Sequence, residues 1–322
     1  MQTTQTKLIG HERPFALLER AFGNGQLAHA YLITGPQEIG KADLARRLGE
    51  LVLGGEQALA VNPDYIWVER GADPKTGKER AIIALDQIHG VRSKLSRRSF
   101  LGGWQVAIIK DAELLNGSAA NGLLKTLEEP HPQTLIVLTA KDAESVMPTV
   151  RSRCQEIKLA RVSRAEIEAA LVERGVLKTQ AGLLSRLADG CPCRAVRLAE
   201  QPDQLDDLRQ LREQALSLPQ ADYATRWRVI EDLLPKKHAF QEAGARALLF
   251  LDVTAELLRD ALLIQNGQEQ RIVHVDAIDG LRRLAAATPN PAVALTALYR
   301  TRQLIRENVS PRNALQNFVL AF

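Results

Sequence analysis

A short apolar run, Ala30-Tyr-Leu-Ile-Thr34, passes directly into Gly35-Pro-Gln-Glu-Ile-Gly40-Lys41-Ala42. No other stretch restricts the possible folds so strongly. The spacing is G-x-x-x-x-G-K, and a helical pattern with Leu44, Leu48 and Leu51 on one face follows it. A strand, a glycine loop and a helix in that order build an anion site from loop amides and the helix N-terminus, with Lys41 placed to reach the outer phosphates. The alternative is an ordinary glycine-rich turn between a strand and a helix. One position departs from the phosphate-loop pattern. It ends in Ser or Thr because that hydroxyl binds Mg²⁺, and Ala42 has no hydroxyl. Gly35, Gly40 and Lys41 keep the cradle for ATP or ADP, so nucleotide binding stays open while the metal contact is lost.

A second constrained stretch runs from Leu123 to Arg153. Asn116 and Ser118 are N-cap types ahead of Leu123-Leu124-Lys125-Thr126-Leu127-Glu128-Glu129, and Pro130 ends that helix. The helix leads into Thr134-Leu-Ile-Val-Leu-Thr139, whose continuous apolar character is that of a strand covered on both faces. That predicts a parallel sheet between helices. Arg151-Ser152-Arg153-Cys154 follows. With Leu-Leu-Lys-Thr-Leu-Glu-Glu-Pro ahead of Ser-Arg-Cys, the chain resembles the clamp-loader ATPases of bacterial DNA polymerase III, and among them the delta-prime branch.

The resemblance implies an AAA+ α/β P-loop domain with a parallel sheet over 1–160, a small helical lid over 161–200 and an all-α collar over 205–322. It also implies partners: gamma/tau-type and delta-type subunits in a pentamer, a sliding clamp and primer-template DNA. In its register Lys110 falls at the metal-binding Asp of relatives that hydrolyse ATP, and Asp111 at the Glu that polarises water. A cation at the metal position opposes Mg²⁺. Thr139 takes the place of a phosphate-sensing polar residue, and Cys193 that of a lid arginine, with Arg194 beside it. Relatives that hydrolyse ATP carry a four-cysteine zinc module where Gly54 to Pro63 has no cysteine, so no zinc is expected. Arg153 is the implied catalytic group, an arginine finger acting across a subunit interface on a neighbour's ATP. The reading that follows is a clamp-loader subunit without its own ATP hydrolysis; the alternative is a gamma/tau-like subunit that hydrolyses ATP itself.

The remaining chain fits a multidomain soluble protein. At 322 residues two or three domains are expected, and 45% hydrophobic against 25% charged residues argues against disorder. Forty-two basic against 38 acidic residues leave a net charge of +4, which permits nucleic-acid contact without requiring it. Three cysteines without disulfide spacing suit a reducing cytoplasm, and neither a signal-peptide core nor a membrane-length apolar run is present. Asp86 opens a helix through Ile88, Val91 and Leu95, and Arg92, Lys94, Arg97 and Arg98 make the densest basic cluster. That cluster is a DNA contact, a subunit contact or a solvated face. Strands are expected at Asp64 to Glu69, Trp104 to Ile109 and Gln155 to Leu159, with a hairpin-like segment over Gly71 to Glu79. Ser163-Arg-Ala-Glu166 is a capping box. Gln201-Pro-Asp-Gln reads as a linker, and six helices punctuated by Pro219, Pro235, Asn266-Gly267, Pro289-Asn-Pro291 and Pro311 follow, the last over Arg312 to Ala321.

Overall fold

The computed structural model describes residues 8–319, apart from 56–58, 60, 72–79, 81 and 236–238. From residue 72 onward the hairpin-like segment lies outside the described residues, as do the first seven residues and positions 320 and 321 of the expected last helix. The chain divides into two compact units, Met1–Val196 and Arg197–Phe322.

In the first unit β1 (Ala30–Thr34), β2 (Tyr65–Val68), β3 (Gln105–Ile109), β4 (Thr134–Ala140) and β5 (Gln155–Lys158) form a parallel sheet in the order β2-β3-β4-β1-β5. The inner strands β1, β3 and β4 are buried along their whole length, which is why they read as unbroken apolar runs. The edge strand β5, Gln-Glu-Ile-Lys, is mostly exposed and correspondingly polar. Alternate residues serve opposite faces. Leu32, Ile109 and Leu138 pack with Ile88 and Val91 of α3 (Leu85–Leu95) and Leu123 and Leu127 of α4 (Gly117–Glu128). Ile33, Ile108 and Val137 pack on the other side with Phe15 of α1 (Glu12–Gly23) and Leu44 and Leu48 of α2 (Lys41–Leu53). The result is a parallel sheet covered by helices on both faces.

The motif helix α4 starts where expected, because the Asn116 side chain accepts the Ala119 N–H at 2.7 Å. Helix α3, by contrast, ends at Leu95, so Arg92 and Lys94 are helical while Arg97 and Arg98 lie in the loop beyond. The loop is held from elsewhere. The buried carboxylate of Asp64 accepts the Ser99 hydroxyl at 2.7 Å and the N–H groups of Phe100 and Leu101 at 2.8 and 3.0 Å. Phe100 and Leu101 stand 81% and 65% exposed on this turn.

Burial pushes the Asp64 carboxyl up, but its hydrogen bonds from Phe100, Leu101, Ser99 and Gln105 outweigh that and hold it below the ordinary Asp value of 3.8. A carboxylate with a lowered native pKa stabilises fully above its unfolded value, and that contribution is lost as pH falls through the lowered one. Asp64→Asn is expected to cost about 1–3 kcal/mol near neutral pH. The difference from wild type should shrink in acid titrations below pH 3.8. Equal urea midpoints at pH 7 would refute this role.

The short α5 (Pro148–Arg151) lies between β4 and β5, and α6 (Arg164–Glu173), α7 (Lys178–Leu187) and α8 (Pro192–Glu200) follow β5. Ser163 and Glu166 make the expected reciprocal cap, each side chain bonding the other's backbone N–H at 3.2 Å. Gly190 is irreplaceable at the turn, since φ is +78° and a Cβ would fall 2.6 Å from the Arg161 Cβ.

The second unit is all helical: α9 (Pro202–Ser217), α10 (Tyr223–Leu233), α11 (Phe240–Gln265), α12 (Ile278–Ala287), α13 (Pro291–Arg306) and α14 (Pro311–Val319). The linker expected at Gln201 to Gln204 is instead the start of α9. Pro202, Pro291 and Pro311 open helices because a first-turn position needs no N–H and favours the proline φ. Phe250, Leu251, Leu257 and Leu258 of α11 form the centre of this unit's core, with Leu211, Leu281, Leu298 and Phe318 around them. Asp260, fully buried, accepts the N–H groups of Val273 and His274 at 2.9 Å each and fixes the chain after α11. Among the described residues no helix is long and apolar enough to cross a membrane.

Candidate functional site

The glycine loop leaves the C-terminal end of β1. Gly35 and Gly40 have φ of +149° and +104°, and a Cβ on Gly35 would meet the Leu159 carbonyl oxygen at 2.9 Å. The backbone therefore requires glycine there. Lys41 opens α2 and is buried, its ammonium donating to the carbonyls of Gly35 and Pro36 at 2.9 and 2.8 Å. Burial lowers its pKa, and the carboxylates of Asp111 and Glu113 partly offset this.

Two side chains close around the loop: His11, which carries no motif signal, and Cys193, at the position the resemblance gives to a lid arginine. His11 Nε2 lies 2.8 Å from the Ile39 carbonyl oxygen. Cys193 donates its N–H to the Glu38 carbonyl at 3.1 Å, and its thiol lies 3.1 Å from Asp43 Oδ2. Burial, reinforced by the Asp43 charge, pushes that thiol far up and keeps it protonated. Cys191, also buried, is raised by the same desolvation.

At the ends of β3 and β4 the positions of interest turn toward protein groups. The Lys110 ammonium pairs with Glu69 Oε2 at 3.2 Å. Asp111 donates its N–H to the Thr139 hydroxyl at 3.0 Å, so the buried Thr139 side chain ties two strand ends together. Ala42, next to Lys41 in α2, contributes a methyl group. The glycine cradle fits a phosphate group, whereas a methyl and an engaged ammonium do not fit Mg²⁺, which needs oxygen ligands. Glu113, which the sequence did not single out, has Oε2 buried without a hydrogen-bond partner.

Arg153 lies at the opposite end of the sheet. The registers Tyr31↔Gln155 and Thr34↔Lys158 are three residues apart, about 10 Å along the strands. Gly35 lies beyond the far pair and Arg153 before the near one. A second contact fixes this end: His29, just ahead of β1, has Nε2 3.0 Å from the Leu127 carbonyl oxygen, next to Glu128. Arg153 Nη2 is 2.5 Å from Glu128 Oε1, and Nη1 donates to the Thr149 carbonyl at 2.8 Å and the Ser152 hydroxyl at 3.2 Å. The guanidinium is partly exposed. Arg151 ends α5, and Cys154 behind it packs against the core, where burial raises its thiol to about 12.

Arg92 lines a cleft with His89, Ser93, Lys125 and His131, while Lys94, Arg97 and Arg98 stand outside it.

The family described as DNA polymerase III, delta subunit, matches residues 10–163. A DNA polymerase III subunit delta' from Bacillus subtilis is 24% identical over 316 residues, covering 96% of this chain and 94% of that protein. The subunit delta' of Escherichia coli is 34% identical over 222 residues, 67% of this chain and 59% of its own length. A subunit tau from Salmonella typhimurium is 27% identical over 212 residues, 62% of this chain and 33% of that protein.

Proposed function

This chain belongs to the delta-prime-like family of DNA polymerase III clamp-loader subunits, and from that premise we propose that it serves ATP-dependent loading of a sliding clamp without hydrolysing ATP itself. It would assemble with gamma/tau-type and delta-type subunits in a pentamer on primed DNA, as the similarity to tau and delta' subunits suggests. Its contribution to catalysis would be Arg153, offered to ATP held by the adjacent subunit.

One observation carries this reading. Arg153 and the glycine loop occupy opposite ends of the same parallel strands, so the arginine cannot serve its own loop. An arginine finger acts by stabilising charge on the transferring phosphoryl group, and a guanidinium at the end away from its own loop supports a role toward a second molecule. Ala42 and the Lys110–Glu69 pair support the other half of the reading, since both metal-facing positions lack a free oxygen donor.

The test starts with the isolated chain in Mg²⁺ and ATP. No turnover above background is expected, and Lys41→Ala should leave ATP hydrolysis by the assembled complex at the wild-type rate. Turnover by the isolated chain that disappears in Lys41→Ala would instead establish the gamma/tau-like alternative.

A further inference from the structure

The guanidinium of Arg153 is already engaged. Its Nη2 meets Glu128 Oε1 at 2.5 Å, and its other terminal nitrogen is held by Thr149 and Ser152. Glu128 is the last residue of α4 and Arg153 lies just ahead of β5, so two separate elements come together at this pair. Both side chains are partly exposed, 34% for the arginine and 49% for the glutamate. An exposed ion pair of this kind is weak and salt-sensitive. Its single negative charge is also far smaller than that of a nucleoside triphosphate.

We propose that Glu128 is a positioning residue that parks Arg153 between turnovers and surrenders it to the phosphates of a nucleotide bound by the adjacent subunit. The inference rests on the trans role of Arg153 given above and adds its regulation. While parked, the guanidinium is committed to a carboxylate of its own chain. When a neighbouring triphosphate comes within reach, the more strongly charged anion takes the arginine, and Glu128 is left to solvent at small cost because it is already half exposed. Glu129, the next residue and also exposed, makes no contact with Arg153 among the described hydrogen bonds and ion pairs and serves as the charge-matched comparison.

The experiment uses the complex assembled with gamma/tau-type and delta-type subunits and measures ATP hydrolysis with and without clamp and primed DNA. Glu128→Gln is expected to raise the unstimulated single-turnover rate at the facing site about two- to fivefold, the range an exposed pair can supply, with steady-state hydrolysis rising only by that site's share, and to leave the stimulated rate unchanged. The wild-type unstimulated rate should climb toward that of the variant as salt increases, and Glu129→Gln should behave as wild type. Combined with Arg153→Ala, Glu128→Gln should add nothing. An unstimulated rate equal to or below wild type, or an equal rise in Glu129→Gln, overturns the parking role. If Arg153→Ala alone leaves hydrolysis unchanged, the trans role itself has failed, which is a different result from failure of the parking role.

Discussion

Arg153→Ala is expected to slow ATP hydrolysis at the facing site of the assembled complex by about 10³-fold or more, the usual loss when an arginine finger is removed. The effect should appear in single-turnover measurements on that site. Steady-state hydrolysis falls only by that site's share, because other sites in a multi-subunit assembly keep their own partners. Arg153→Lys should recover little, since an ammonium is a compact point charge without the planar fork that grips two phosphate oxygens. Folding should be nearly unaffected, because Arg153 and Glu128 are both partly exposed and such pairs contribute about 0–1 kcal/mol. Intact assembly with unchanged single-turnover rates in Arg153→Ala would refute the trans role.

The largest expected loss of stability lies in the second unit. Phe250 is 1% exposed at the centre of the helical core, and Phe250→Ala should cost about 3–5 kcal/mol through lost burial and the cavity left behind. Trp227 lies in this unit, while Trp67 and Trp104 lie in the first, so fluorescence in denaturant can be assigned by replacing tryptophans one at a time. The transition followed through Trp227 should move to lower urea, and that through Trp67 and Trp104 should move less. A loss under about 1 kcal/mol would mean that the cavity collapses, so Phe250 does not organise the core.

The inner sheet was legible in the sequence because strands buried on both faces must be apolar throughout, as Leu135 to Leu138 are. The phosphate loop and helix α4 were legible for a related reason: glycine φ requirements and an Asn116 cap leave marks in a single local segment. The contacts that close the site left no such mark. His11 reaches the loop from about thirty residues before it with nothing in its neighbourhood to signal the meeting, and Cys193 reaches it from about 150 residues after, where only the resemblance, through its lid-arginine position, points to the loop. In the sequence Asp64 marks only the start of a strand, whereas its carboxylate holds a loop 35 residues later. Glu128 belongs to a helix-ending motif in the sequence, and its partner Arg153, 25 residues later, is brought to it only by the fold. Pro202 reads as part of a linker but opens α9, whereas Pro291 and Pro311, which mark helix boundaries in the sequence, are the first residues of α13 and α14.

Parallel strands give the first unit a polarity, with the glycine loop hanging from one end and Arg153 from the other. Contacts that set one end against the opposite end of a neighbour are head-to-tail, and such contacts repeat until a ring closes or something stops the series. On the proposed role, this chain stops it. It donates an arginine on one side and on the other offers a methyl and a paired ammonium where a metal would have to be held. An assembly of otherwise similar parts thereby acquires a first member, and the order of its working sites can be counted from this chain.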